Sequence, residues 1–348
     1  MDGMVRIRAL QQQDIPGIVR IRNQASSRLF TAAMPYTSIL QASAAFGNPP
    51  PNATLLVACD DTNNVLGIAD LDRHTYPRGN HTATMGLLVA EEARRQGIGR
   101  ALIKAVLDLA DNYLNISRLS LKVYTNNVNA IALYHKFGFE VEATLRRYAM
   151  QDGALADCYI MARLRPGLAK DTTPPPSLPP QQDVAGEITL RALEPSDAEA
   201  VCLMRDQPIV RHFMLGMPYY ATPEKSRKWL ESKTGEGLAI GAFAGAQLVG
   251  MTTLSTSSKR RRHSGEVEIV QVHDQFQGHG IGRKLMTAAL DAADNWLGLT
   301  RLSLYVLADN ERAIRLYQAF GFEAEGTLRA DLFRNGAYAD TLVMGRLL

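Results

Sequence analysis

Short apolar runs and longer apolar stripes alternate along the chain, and each predicts a different element. Leu55-Leu56-Val57-Ala58 and Leu238-Ala239-Ile240-Gly241-Ala242-Phe243 lead into the turn-rich Asn63-Asn64 and Gly245-Ala246-Gln247, which predicts strands that fold back on a neighbour. Thr84 to Val89 and Val267 to Val272 read as buried strands. From Ile98 to Tyr113, and again from Ile281 to Trp296, apolar residues recur at helical spacing, among them Ile98, Leu102, Val106, Leu109 and Tyr113. Met1 to Asp14 alternates as a short strand instead of opening on a basic stretch followed by an apolar one, so no secretion signal is expected. The order of elements is strand, helix, helical or irregular stretch, strands, helix, strand, helix, strand. It predicts an α/β fold, a mixed sheet with helices on both faces.

That order occurs twice because the sequence does. Arg118-Leu119-Ser120-Leu121-Lys122-Val123 returns as Arg301-Leu302-Ser303-Leu304-Tyr305-Val306, a shift of 183 residues. The same shift carries Ile7-Arg8-Ala9-Leu10 onto Leu190-Arg191-Ala192-Leu193, and Met34-Pro35-Tyr36 onto Met217-Pro218-Tyr219. It also carries Phe137-Gly138-Phe139-Glu140 onto Phe320-Gly321-Phe322-Glu323. A period this long means two whole domains, since solenoid repeats run about 20 to 50 residues. The expected domains are 4–165 and 187–348, joined by a linker over 166–186. That linker holds Pro174-Pro175-Pro176 and Pro179-Pro180 with few apolar residues, so it is expected to be an extended, semi-rigid spacer, with a proline-rich recognition peptide as the alternative.

Composition narrows the class. A chain of 348 residues suits two domains, each large enough to bury a core, and 46% hydrophobic with 21% charged residues is globular. No apolar run approaches the roughly 18 residues a membrane span needs. The net charge of +3, from 38 basic and 35 acidic residues, gives no argument for nucleic acid. Cys59, Cys158 and Cys202 lack metal-ligand spacing and cannot all pair within one chain. They are expected to be small core residues in a reducing cytoplasm, with no metal site.

Where the apolar strand of each copy meets its helix, the first has Arg94-Arg95-Gln96-Gly97-Ile98-Gly99-Arg100 and the second Gln277-Gly278-His279-Gly280-Ile281-Gly282-Arg283. Glycines let backbone N–H groups approach an anion, and the helix adds unpaired donors and the positive end of its dipole. The pattern makes a pyrophosphate cradle, although a tight turn into a helix asks for glycine on steric grounds alone. It lacks the third glycine of a dinucleotide fingerprint and the Lys-Ser/Thr of a nucleotide triphosphatase.

With these loops the sequence resembles the GNAT N-acetyltransferase superfamily, whose pattern is Gln/Arg-x-x-Gly-x-Gly/Ala after the fourth strand. Arg94-x-x-Gly97-x-Gly99 and Gln277-x-x-Gly280-x-Gly282 both satisfy it. Further along, the family's Asn and Tyr seven positions apart are matched by Asn127 and Tyr134, and by Asn310 and Tyr317. The likeness covers almost the whole chain in two copies and implies two tandem GNAT acyl-CoA N-acyltransferase folds. Both halves are most similar to bacterial acetyltransferases of amino acids and other small molecules, including the stretch Arg334-Asn335-Gly336-Ala337-Tyr338-Ala339-Asp340.

The resemblance implies a reaction in which a neutral amine attacks the thioester of acetyl-CoA directly, with CoA as product. The cofactor arm would lie against Leu87, Leu88 and Val89, and against Val270, Gln271 and Val272, with its pyrophosphate at the two glycine loops. Asn127 and Asn310 would hydrogen-bond the arm, or simply cap helices. Tyr134 and Tyr317 would protonate the sulfur, or pack as core tyrosines. Glu266 and Glu268, two apart and so expected on one strand face, would supply a general base in the second copy, or simply form an exposed, solvated strand edge. Ala83 and Met85 stand there in the first, whose nearest candidates are His81, Asp70 and Asp72, or a water chain. These carboxylates favour the second copy for turnover. His273 reads as a surface histidine. Lys259-Arg260-Arg261-Arg262-His263 reads as a solvated hairpin tip or a clamp for an acidic acceptor, with Arg78 alone near the matching place in the first copy.

The expected activity is acetyl transfer to a primary amine of a small molecule: an amino acid, a polyamine, or an amine-bearing toxin or antibiotic. The alternatives are acetylation of protein N-termini or lysines, and one catalytic domain joined to a non-catalytic acetyl-CoA-binding or dimer-forming one. A homodimer is left open, and neither nucleic acid nor membrane is expected as a partner.

Overall fold

Strands β1 (Arg6–Ala9), β2 (Ala53–Cys59), β3 (Val65–Arg73) and β4 (Thr82–Val89) pair antiparallel in chain order, and β5 (Arg118–Tyr124) joins β4 in parallel. The hairpin of β6 (Glu140–Gln151) and β7 (Ala154–Leu164) closes the sheet, with β7 beside β5. The order is therefore β1-β2-β3-β4-β5-β7-β6. The same plan returns in β8 (Ile188–Ala192), β9 (Gly237–Ala244), β10 (Gln247–Thr256), β11 (Ser264–Val272), β12 (Arg301–Leu307), β13 (Glu323–Arg334) and β14 (Ala337–Leu347). Its order is β8-β9-β10-β11-β12-β14-β13. This computed structural model describes residues 5–184, 186–216, 222–233 and 237–348; the expectations for residues 1–4 and for Met217-Pro218-Tyr219 lie outside them. The chain divides into two compact units, Met1–Ala169 and Lys170–Leu348.

Helices α1 (Ile15–Arg22), α2 (Ala25–Phe30), α3 (Ile39–Phe46), α4 (Ile98–Asp108) and α5 (Val128–His135) belong to the first unit. The second has α6 (Ala198–Arg205), α7 (Pro208–Phe213), α8 (Pro223–Ser232), α9 (Ile281–Asp291) and α10 (Glu311–Gln318). On α4 the spacing of Ile98, Leu102, Ile103 and Val106 buries one stripe against β3 and β4, worth about 1.5–3 kcal/mol per fully buried side chain. Tyr113, expected on that stripe, is 74% exposed, and Trp296 in the second unit is 81% exposed. Both follow from a closing π-turn, Leu109–Tyr113 and Ala292–Trp296, whose wider winding rotates the last aromatic off the apolar face.

One irregularity of each sheet positions the site. β4 and β5 pair only where Thr82, Ala83 and Thr84 face Arg118, Leu119 and Ser120, and β11 and β12 only where Ser264, Gly265 and Glu266 face Arg301, Leu302 and Ser303. Past those residues the ladder ends, leaving a wedge edged by strand backbone whose polar groups require partners. The closed end of each wedge is fastened by a fully buried ion pair, Arg118 to Glu142 at 2.7 Å and Arg301 to Glu325 at 2.6 Å. Cys59, Cys158 and Cys202 are buried and form no disulfide among the described residues. Among the described residues no helix is long and apolar enough to cross a membrane.

Candidate active site

Each long helix starts at a glycine in the left-handed region, Gly97 at φ 86° before α4 and Gly280 at φ 74° before α9. Another residue would be strained there by roughly 1–2 kcal/mol. A Cβ at either position would meet nothing within 4 Å, so both turns open onto space beside the unpaired N–H groups of a helix start. The second glycines differ from expectation. A Cβ on Gly99 would lie 3.2 Å from Leu133, and one on Gly282 would lie 3.3 Å from Leu316. These residues let α5 and α10 pack closely and do not widen the cradle.

The rest of each loop is tied to its strand. Arg94 reaches the Val89 carbonyl at 3.4 Å and Gln277 the equivalent Val272 carbonyl at 3.3 Å. Arg95 (φ 61°) and Gly278 (φ 93°) share a left-handed backbone. The Gln96 amide donates to the Glu92 carbonyl at 2.7 Å, and His279 Nδ1 lies 3.3 Å from the Phe276 carbonyl. Arg100 is exposed, while Arg283 stacks on Phe320. Leu87, Leu88 and Val89 are half-buried along the wedge.

In the second unit the wedge opens into a cleft of about 1420 Å³, larger than the ~300–1,000 Å³ of an ordinary single-ligand site. Val270, Gln271, Val272, Gly280, Asn310 and Tyr317 line it. Asn127 and Asn310 cap α5 and α10, their Oδ1 atoms accepting from the Ala130 and Ala313 N–H groups at 3.4 and 3.2 Å. Tyr134 and Tyr317 are 6% and 7% exposed against Phe139 and Phe322. Burial pushes both phenols above their ordinary value, aided at Tyr134 by the Asp70 charge, so both keep their protons at neutral pH.

A carboxylate stands near the wedge in both units, but on different strands: Glu268 lines the second unit's cleft, while Asp70 lies over Gly86 of β4 in a cavity whose lining does not include Leu87–Val89 or Tyr134. On β11 the register with β10 steps between Thr253 and Leu254, leaving Glu268 as a bulged extra residue. The bulge breaks the alternation that would put Glu266 and Glu268 on one face: Glu268 lines the cleft and Glu266 does not. Glu268 pairs with Lys233 and accepts from Thr253 Oγ1 at 3.4 Å. The residue matching Thr253 in the first copy is Asp70, the register partner of Gly86. Its carboxylate fills the space over Gly86, where a Cβ would collide with it. Burial, then the neighbouring Asp72, raise the Asp70 pKa to about 6, against the pull of the Gly86 N–H and Arg22. Asp70 and Asp72 line a cavity of about 570 Å³ that does not include His81.

Other residues fall elsewhere. Lys259–Arg261 forms a short turn before β11, at the end of the strand away from Val270–Val272, and none of the run from Lys259 to His263 lines the cleft. His273 is half-buried and caps the following turn, accepting from the Gln275 N–H at 3.3 Å. Three features escape sequence reasoning. Arg312 lines the cleft and donates to Gln277 at 2.8 Å. Arg22 and Arg205 line the two cavities. Part of the proline-rich stretch, Pro175 to Leu178, forms a wall of the second unit's cleft as a strap. Arg334 holds Asp171 at one end of it at 2.5 Å, and Gln182 donates to the Gln275 carbonyl at 2.9 Å at the other. The 183-residue offset aligns Arg22 with Arg205, which was the signal available for that pair.

The chain is similar in sequence to several known acetyltransferases. The L-amino acid N-acetyltransferase AaaT of Escherichia coli is 36% identical over 115 residues, covering 33% of this chain and 70% of that protein. A spermidine N(1)-acetyltransferase of Vibrio cholerae is 29% identical over 156 residues, 44% of this chain and 89% of that one. A mycothiol acetyltransferase of Renibacterium salmoninarum is 28% identical over 247 residues, 69% of this chain and 64% of that one. Among solved structures, spermidine N-acetyltransferase from Vibrio cholerae in complex with CoA and spermine aligns with a TM-score of 0.43 at 25% identity, over 46% of this chain and 95% of that one. The profile of the Acetyltransferase (GNAT) family matches residues 17–139 and again 207–322, and the chain belongs to that family.

Proposed function

We propose that both units transfer an acetyl group from acetyl-CoA to the primary amine of a small molecule. The observation that carries this reading is the left-handed glycine opening onto space at the helix start, beside a wedge of unpaired strand, in two copies. Acetyl-CoA would supply the acetyl group as an activated thioester. Gly97 and Gly280, with the first N–H groups of α4 and α9, would hold its pyrophosphate, and Arg312 would add a positive charge in the second unit. The backbone of Leu87–Val89 and Val270–Val272 would hold the arm in the wedge.

Two proton movements remain for side chains. Asp70 in the first unit and Glu268 in the second would accept a proton from the ammonium of the acceptor. Tyr134 and Tyr317, protonated at neutral pH, would give one to the departing thiolate. Asp70 supplies the first unit with the carboxylate that Ala83 and Met85 cannot, which speaks against reading that unit as a binding module alone. Thiol release on a panel of amines tests this with Tyr134→Phe, Tyr317→Phe and the double variant. Loss of the general acid lowers the affected unit's rate by about 100-fold or more. Each single variant is expected to keep only the other unit's share, and the double variant to be nearly inactive. Full activity in the double variant would remove the tyrosines from the chemistry, and turnover of peptides without free amines would favour a protein substrate.

A further inference from the structure

Arg22 ends α1 and Arg205 ends α6, at matching positions of the two copies. Arg22 lies in one cavity with Asp70, and Arg205 lies in one cleft with Glu268 and Tyr317. Each guanidinium lies over a ring, Arg22 over Phe46 at 5.2 Å from its centre and Arg205 over Trp229 at 4.3 Å, and the two rings are again 183 residues apart. A ring attracts the charge but accepts none of the in-plane N–H hydrogen bonds, so those donors are still to be satisfied. In both residues Nε is buried with no hydrogen-bond partner among the described residues. Burial pushes both groups below their ordinary value, opposed at Arg22 by the Asp70 carboxylate. A partly desolvated guanidinium facing a cavity calls for an anion, and its rigid fork matches a planar carboxylate.

Building on the acetyl-transfer reading above, we propose that Arg22 and Arg205 bind the carboxylate of the acceptor, and that the acceptor of both units is a free α-amino acid. Such a molecule carries its ammonium and its carboxylate on one carbon. The two groups then meet opposite charges in one cavity, Asp70 with Arg22 and Glu268 with Arg205. A polyamine offers no anion and leaves both arginines as they are. Arg22 and Arg205 are thus binding residues that carry no proton themselves, although Arg22 also holds the Asp70 pKa down.

The test compares three acceptors that share one side chain: the free amino acid, its primary amide and its decarboxylated amine. The first unit is read alone in Tyr317→Phe and the second in Tyr134→Phe, by thiol release. The acid is expected to exceed the other two by at least about 30-fold in kcat/KM, the size of effect of a buried charge-assisted pair. Arg22→Gln and Arg205→Gln, each in its own background, should abolish that preference through KM. Measured at about pH 8.5, where Asp70 stays ionised without the pull of Arg22, the amide and the amine should change less than about threefold. Unchanged CoA affinity by calorimetry shows that the variants fold. Equal turnover of acid and amide by the unsubstituted chain overturns the carboxylate assignment, and that comparison needs no variant. An equal fall for all three acceptors in the arginine variants overturns it as well. Absence of CoA release with every amine overturns instead the acetyl-transfer reading on which it rests.

Discussion

Asp70 carries opposite consequences for activity and for stability. Its pKa of about 6 lies above the roughly 3.9 of an unfolded chain, so between those values the folded state binds more protons than the unfolded one. Stability therefore declines as pH rises from about 4 to 6, and the cost, at most about 3 kcal/mol, is fully present at neutral pH. A proton acceptor needs that same ionised form. Asp70→Asn should raise the melting temperature at pH 7.5 and leave it nearly unchanged at pH 4. In the Tyr317→Phe background, the rate of the first unit should rise through an inflection near pH 6, and the Asn variant should lack it. Thermal melts at the two pH values and a pH–rate profile check both. The groups that tune Asp70 are Asp72 on the same strand, the Gly86 N–H and Arg22. Only Asp72 is near it in sequence; Gly86 and Arg22 reach it through the fold, which is why the residues alone left His81, Asp70 and Asp72 as equals.

At the scale of elements, the two copies differ most clearly around the strap. In the first unit Gln151 donates to the Leu29 carbonyl at 2.7 Å and accepts from Asn126 at 2.7 Å. The matching residues of the second unit are Arg334, His212 and Asp309, and Arg334 reaches the His212 carbonyl at 3.4 Å and Asp309 at 2.6 Å. Exchanging an amide for a guanidinium adds donors, and these take up Asp171, the anchor of the strap. Burial raises Asp171, but the Thr173 bonds and Arg334 outweigh it and hold its pKa at about 2. Arg334→Gln, the residue the first unit uses, should release the strap. The Asp171 N–H, bonded to the Tyr338 carbonyl at 2.7 Å, should then exchange with solvent at least about tenfold faster, as hydrogen exchange would show. Unchanged exchange would mean that Pro175 to Leu178 are held by other contacts.

For the whole molecule, duplication predicts two cofactor sites per chain. Titration calorimetry with CoA should give a stoichiometry near two. Gly280→Val, a β-branched residue forced to φ 74°, should lower it to one while leaving the other site intact. The cleft of the second unit has Arg312 where the first has Asn129, so the two affinities should differ, with the second unit the tighter. A stoichiometry of one in the unsubstituted chain would identify a unit that has lost the cofactor.

The residues by themselves determined what obeys local rules. Helical and strand periods located α4, α9, β4 and β11, the repeat gave two copies of one plan, and a glycine pattern marked the left-handed turns at Gly97 and Gly280. Strand register decided which carboxylate meets the wedge, because the bulge at Glu268 and the pairing of Asp70 with Gly86 depend on a neighbouring strand. Tertiary packing decided that Arg22 and Arg205 lie partly desolvated over Phe46 and Trp229, and that a proline-rich stretch, read as a spacer or a recognition peptide, lines a cleft. Spacing along a chain fixes a backbone and the face it presents. Burial and charge at a site come from residues far apart in sequence, and only the folded sheet brings those together.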